Sequence, residues 1–262
     1  MQYSTILFDV SEGVAQITLN RPEAMNSINL DIARDLMYAI LRCDEDPAIR
    51  AVVIKGAGPL FSAGGDLKTF SAQKKNLPSY VKEASTYFHA AISRMTRMDP
   101  PVIAAVHGYA MGAGMSLAIA CDMVIAAETA RFMLAYTRVG LTPDGSATYF
   151  LPRVVGLKRA LELALTNRMF SAREALEMGM VTRVVREKGL LSEARAIATQ
   201  LAAGPTRTYG ASKRLLYNGW NETLETQMEQ ESQSIANIAR TKDVHEGINA
   251  FLEKRPPKFK GE

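Results

Sequence analysis

Apolar residues recur along this chain with two different periods. STILFDV (4–10) and VAQITLN (14–20) flank Ser-Glu-Gly, which predicts a β-hairpin. Asn20-Arg21-Pro22 breaks the second strand. In LDIARDLMYAILRC (30–43), Leu30, Leu36, Met37, Ile40 and Leu41 fall near helical spacing, with Asp31 early. AVVIKGAG (51–58) is a short apolar run ending in glycines, as a buried strand should be. A polar segment (68–79) leads into a helical stretch over 78–98. PVIAAV (101–106) predicts a second buried strand, then a Gly-rich loop and a helix reaching Cys121. MVIAAE (123–128) predicts a third, and ARFMLA (130–135) a short further one. KRALELALT (158–166) and SAREALEMGM (171–180) have helical spacing, and VTRVV (181–185) reads as a late strand. From about Gly204 the pattern is helical and more charged. Strands alternating with helices argue for an α/β fold with parallel pairing, and the helical tail for a separate sub-structure. The expected division is 1–203 and 204–262.

Composition narrows the function classes. The 262 residues suit one large domain, and 47% hydrophobic against 22% charged residues suits a soluble globular core. The net charge of +4 is dispersed, apart from Lys254, Arg255, Lys258 and Lys260. With no basic stripe carrying aromatics, nucleic acid is not an expected partner. A mild positive balance helps attract an anionic small molecule. Cys43 and Cys121 sit in apolar stretches and read as packing, and three scattered histidines give no support for a metal site. The start, MQYSTILFDV, lacks a basic region and a cleavage site, so a cytoplasmic location is expected. Val102 to Cys121 carries no formal charge over a length that could span a bilayer. Its His107, Tyr109, Ser116 and three glycines instead predict buried elements within a globular fold, so no membrane association is expected.

Two Gly-rich loops follow buried strands: GAGPLFSAGGDLK (56–68) and HGYAMGAGMSLA (107–118). Neither meets the dinucleotide fingerprint, and the chain has no nucleotide-phosphate loop and no nucleophile elbow. Each loop is explained by tight strand-to-helix turns. If the two converge, however, their backbone amides can hold the oxygen of an acyl carbonyl, and a helix starting at the second adds its positive end.

The chain resembles the crotonase family, also called the enoyl-CoA hydratase/isomerase family. The matching stretches are ITLNRPEAMNSI, FSAGGDLK, AAVHGYAMGAGMSLAIACD, FMLAYTRVGLTPDG, LPRVVGLKRALELALTNR, SAREALEMGMVTRVV and GINAFLEKR, in the family's order and over nearly the whole length. The resemblance implies an α/β spiral of ββα turns as the catalytic core and a C-terminal helical region that builds homotrimers, often paired into hexamers. It implies a CoA thioester substrate, coenzyme A being part of the substrate, with no metal or redox cofactor. By position, the oxyanion amides are those of Gly65 and Ala113, the latter where the family usually has glycine. Ala24, Ala63, Asp66 and Leu67 match residues along the adenosine and pantetheine. Lys68, Phe251 and Lys254 match further residues that reach the CoA.

The acids depart from the family pattern. Its hydratases carry two glutamates, at the positions of Ser116 and Tyr136 here. Serine and tyrosine hold their protons too tightly to replace a carboxylate base near neutral pH. Some members place an aspartate at the position of Asp144. Dienoyl-CoA isomerases pair it with a glutamate at 136. Aryl dehalogenases use it as a nucleophile, with a tryptophan at 136 and a histidine upstream, which by position falls at Ser93 and argues against that reaction. Phenylacetate-pathway isomerases have it with an aromatic at 136, and these match best. Pro143-Asp144-Gly145 is by itself ordinary turn chemistry. Beside two oxyanion loops and two absent glutamates, Asp144 becomes the leading acid/base candidate, in a pocket lined by Tyr136, Met133 and Phe150. The expected reaction is proton transfer through a thioester enolate, shifting a double bond or rearranging a ring epoxide. An atypical hydratase, a CoA-ester hydrolase or decarboxylase, and a non-catalytic acyl-CoA-binding subunit stay open.

Overall fold

A computed structural model describes residues 3–262. The hairpin forms from β1 (Ile6–Ser11) and β2 (Val14–Leu19), with Ser11 opposite Val14. Glu12 and Gly13 both take positive φ, the turn whose twist matches paired strands. The chain crosses through α1 (Leu30–Glu45) to β3 (Ala51–Gly56), which pairs parallel with β2. Asn29 caps α1 by accepting from Ile32 N, and Ile32, Leu36, Ile40 and Cys43 face the core.

Next come α2 (Leu67–Ala72), a 3-10 turn (Lys74–Asn76) and α3 (Leu77–Met95), which packs on α1. β4 (Val102–Val106) joins β3 in parallel and is buried along its whole length, as a strand covered on both faces must be. Then follow β5 (Tyr109–Met111), α4 (Ala113–Ala120), β6 (Met123–Ala127), β7 (Arg131–Met133) and α5 (Ala147–Val155). After these come α6 (Leu157–Thr166), β8 (Phe170–Ser171), α7 (Ala172–Glu177), β9 (Arg183–Val185) and α8 (Leu190–Ala202). The large sheet runs β1-β2-β3-β4-β6-β9, parallel except for the first pair, and the small one runs β5-β7-β8. Each passage from the large sheet continues into the small one and then a helix: β4 with β5 and α4, then β6 with β7 and α5. β3 does the same in reduced form, through a single bridge from Ser62 to Ala110 before α2. This is the expected spiral of ββα turns.

Several elements differ from the sequence reading. The stretch 68–79, read as polar and unplaced, is mostly α2 and a 3-10 turn, with Leu67 and Phe70 facing a cavity. β5 lies hidden in the second Gly-rich loop, where glycines mask any alternation. α5 and α8 were not anticipated, and α8 lies across β3, β4 and β6. Val102–Cys121 splits into β4, β5 and α4, and no helix of the described residues is long and apolar enough to cross a membrane.

The chain closes with α9 (Thr206–Asn218), α10 (Leu224–Ile238) and α11 (Lys242–Leu252). Lys213 of α9 is buried. Its Nζ donates to Asp122 Oδ2 (2.9 Å) and to the carbonyl of Met95 (2.8 Å), while Asp122 Oδ2 also accepts from Val102 N. Lys213→Met strands that carboxylate without its cation. Removing one partner of a buried pair costs about 3–5 kcal/mol. A Tm lowered by on the order of 10 °C in calorimetry is therefore expected, with part recovered when Asp122→Asn is added.

Candidate active site

The two Gly-rich loops run side by side and are zipped by backbone hydrogen bonds. Phe61 N donates to His107 O, Ser62 N to Tyr109 O and Met111 N to Ser62 O, each at 3.0 Å. Two glycines permit this closeness. A Cβ on Gly64, which has φ +93°, would lie 2.7 Å from Met111 O. One on Gly114 would lie 2.6 Å from Ser62 Cβ. On either side of Gly65, Gly64 O accepts from Ile28 N (2.7 Å) and Asp66 N donates to Ile28 O (3.0 Å). Gly112 N, just before Ala113, donates to Met133 O (3.0 Å). The N–H groups of Gly65 and Ala113 themselves donate to nothing among the described residues. Both residues line one cavity of ≈ 500 Å³. Ala113 opens α4, so its amide carries the positive end of that helix. Two amides without a partner among the described residues, both bordering one largely apolar cavity, are the kind of donors a developing oxyanion needs.

Val81, Phe88, Met133 and Leu141 give the cavity apolar walls. The expected Phe150 is not among them. It turns away into an aromatic cluster with Tyr217 (5.7 Å between centroids) and Trp220 (6.3 Å), because α5 presents it to α9.

Asp144 is the single carboxylate lining this cavity among the described residues. The turn reading also holds, since Ala147 N donates to Asp144 O (3.1 Å) and Gly145 takes φ +58°. The side chain is 34% exposed and points its oxygens in two directions. Oδ1 accepts from the Tyr136 hydroxyl at 2.6 Å, and that hydroxyl lies 2.9 Å from Ser116 Oγ. The two positions that hold glutamates in hydratases, both buried here, thus form a relay, Ser116–Tyr136–Asp144, that clamps one carboxylate oxygen. Burial first, then the neighbouring Asp144 charge, push the Tyr136 phenol well above its ordinary pKa, so it stays a donor. Tyr136→Phe removes the clamp. The expected result is a turnover reduced by about tenfold, the worth of one hydrogen bond to a charged group, with KM little changed, read by steady-state kinetics.

Oδ2 faces His89, whose Nε2 stands 3.7 Å away and accepts from Gly145 N at 3.1 Å. Sequence reasoning missed this residue by looking for an upstream histidine at Ser93. Ser93 lies a turn further along α3 and lines a different cavity. The signal was the register of α3: with Ala84, Phe88 and Ile92 buried, position 89 falls beside the inward stripe.

The other expected residues divide. Ala63 and Leu67 line the cavity. Ala24 lies on a 3-10 turn (Pro22–Ala24), beside Met25, whose carbonyl accepts from Ala63 N. The Asp66 carboxylate is engaged inside the protein. It pairs with Arg21 (Nη2–Oδ2 2.9 Å) and caps α2 by accepting from Thr69 N (3.0 Å). Burial works to raise its pKa, but the Thr69 amide and the Arg21 guanidinium outweigh it and hold the carboxyl below its usual range. Its backbone is engaged as well, with N donating to Ile28 O (3.0 Å) and O accepting from Phe70 N (2.9 Å). Lys68 is exposed on α2, and Phe251 (83% exposed) and Lys254 sit at the end of α11, outside the cavity.

A spiral of ββα turns with two convergent amides beside an apolar acyl-sized cavity defines a class of thioester-handling proteins. The enoyl-CoA hydratase/isomerase family model matches residues 9–262, and the chain belongs to that family. It is 40% identical to "Probable enoyl-CoA hydratase" of Rhodobacter capsulatus, over 100% of both chains. It is 38% identical to 1,2-epoxyphenylacetyl-CoA isomerase of Escherichia coli, over 98% of each. It is 36% identical to 4-chlorobenzoyl coenzyme A dehalogenase-2 of an Arthrobacter species, over 86% of this chain and 82% of that one. Among solved structures, an enoyl-CoA hydratase from Polaromonas sp. JS666 superposes with TM-score 0.93 at 34% identity, covering 97% of this chain and 99% of that one.

Proposed function

We propose that this chain is an acyl-CoA isomerase that moves a proton along the acyl chain with a single carboxylate. The observation that carries this is Asp144, alone as an acid in the cavity that holds the Gly65 and Ala113 amides. The thioester oxygen accepts from both amides. Asp144 Oδ2 takes a proton from the carbon next to the double bond, and the electron pair moves into a dienolate whose charge rests on that oxygen. The protonated Asp144, 34% exposed and so able to exchange its proton with water, then protonates the chain two carbons away, and the double bond shifts. Nothing is gained or lost overall. Hydration by two glutamates lacks both acids here, since Ser116 and Tyr136 stand in their places. Rearrangement of a ring epoxide, the activity that the E. coli relative's name implies, is also an isomerisation and fits the same class.

The test is a 3-enoyl-CoA incubated with the protein in deuterated water and followed by proton NMR. A 2-enoyl product with deuterium in the acyl chain supports the reading. Water addition without isomerisation overturns it in favour of a hydratase, and no change in a set of chain lengths favours a non-catalytic binder.

His89 favours a second reading, in which Asp144 attacks an aryl halide carbon and histidine then activates water. Chloride release from 4-chlorobenzoyl-CoA, lost in His89→Gln, would establish it. It stands second for a geometric reason. Gly145 N–H can only donate, so its bond occupies the Nε2 lone pair that a base would need.

We also propose a homo-oligomer, since Leu157, Leu161 and Leu165 form one exposed apolar stripe on α6. Light scattering that returns a monomer overturns it.

A further inference from the structure

A second cavity of ≈ 640 Å³ lies behind Asp144, between the C-terminal half of α3, α5 and α9. His89 and Asp144 line both cavities, so these two side chains are the partition between them. The chemistry on the two sides differs. The acyl cavity is mostly apolar, with Arg138 its one arginine, whereas the second, beside Ile92, Phe150 and Tyr217, presents the guanidinium groups of Arg97 and Arg214 together with the amides of Asn218 and Asn221. Its lining contains no carboxylate except Asp144.

Both guanidinium groups are held in place by one nitrogen. Arg97 Nη1 donates to the carbonyl and hydroxyl of Ser93, one turn back on α3. Arg214 Nη1 donates to the carbonyl of Arg97 (2.7 Å) and to Asp99 Oδ1 (2.7 Å). The first of these ties the Arg214 side chain to the backbone of Arg97. Nε and Nη2 of each donate to nothing among the described residues, and Arg97 pairs with no carboxylate. Arg97 is exposed and Arg214 41% exposed, and guanidinium forks with a free edge match a carboxylate better than a hydrocarbon tail.

We propose that this cavity is a subsite for an anion at the far end of the acyl group, so that the substrates are CoA thioesters of dicarboxylic acids. The thioester sits on Gly65 and Ala113, the reacting carbons lie at Asp144, and the distal carboxylate reaches Arg97 and Arg214 past the partition. This rests on the CoA-thioester isomerase reading and adds the substrate class. It assigns a task to Asp144 beyond proton transfer: as the one carboxylate that lines both cavities, it limits how close a second carboxylate comes.

The test separates binding from turnover. Octanoyl-CoA and the mono-CoA ester of octanedioic acid cannot isomerise, and their Kd values are measured by calorimetry on the intact protein. The dicarboxylic ester is expected to bind at least about tenfold more tightly, the worth of one charge-assisted hydrogen bond. The preference should fall towards one in the double variant Arg97→Gln/Arg214→Gln. Arg94→Gln, on the outer face of α3 and paired with Asp44, should keep the full preference. Equal affinities in the parent, or a preference that survives the double variant, would overturn the subsite. The unsaturated counterparts, 3-octenoyl-CoA and the mono-CoA ester of 3-octenedioic acid, are then run in deuterated water. A binding preference without turnover of either ester sinks the isomerase reading and leaves the subsite standing. Turnover of both without a preference does the reverse.

Discussion

Asp144→Asn abolishes double-bond migration and leaves the CoA ester bound. Proton transfer by a positioned side chain is worth about 10²–10⁴-fold, and no other acid lines the cavity to take over. Turnover of a 3-enoyl-CoA is expected to fall by that factor while KM changes little. The variant suits the question because asparagine keeps the shape. It tolerates the same turn, and its oxygen still accepts from Tyr136. What is lost is the ability to hold a proton. Deuterium uptake by NMR reads the loss directly. An asparagine variant that incorporates deuterium at the parent's rate would remove Asp144 from the chemistry and return it to being a turn residue.

Ala113→Pro is expected to cost about 10²–10³ in kcat, the effect of losing one oxyanion donor. Substituting the side chain of Ala113 for another would leave the amide intact, so only proline addresses the group in question. Proline is well suited to the first position of a helix, where its missing N–H breaks no helical bond. Its ring also fills the space in front of the amide. A calorimetric Tm near that of the parent is therefore expected alongside the lost rate. An infrared spectrum of bound thioester gives a second reading: the carbonyl band should shift to lower frequency in the parent and less in the variant. Parent-like activity would place the thioester oxygen elsewhere.

The origin of the site's parts is uneven. The absence of both hydratase glutamates is a plain fact of the sequence, and so is the presence of an acid at 144. The Gly-rich loops were recognisable because a buried strand ending in glycine is a local pattern. The engaged state of the Asp66 carboxylate was not, because its partner Arg21 comes from a turn far away in the chain. Phe150 was misplaced for a related reason. Its apolar character says that it is buried, but not on which side of α5. His89 was missed because helical periodicity fixes a face only after the helix has neighbours.

What the sequence by itself determined is whatever depends on nearest neighbours. Continuous apolar runs specified the parallel strands, glycines and Pro143-Asp144-Gly145 marked the turns, and the residue types at 116, 136 and 144 limited the acids available. The tertiary structure decided everything that depends on which surfaces meet. It brought the Gly65 and Ala113 amides to one cavity by zipping two loops together. It turned two apparent losses, Ser116 and Tyr136, into a relay that holds Asp144. It set His89 against the other oxygen, and a polar chamber with two arginines behind the pair. The physical reason is range. Backbone conformation and burial are settled over a few residues, whereas a hydrogen bond over 2.6 Å needs the whole spiral to place its two ends.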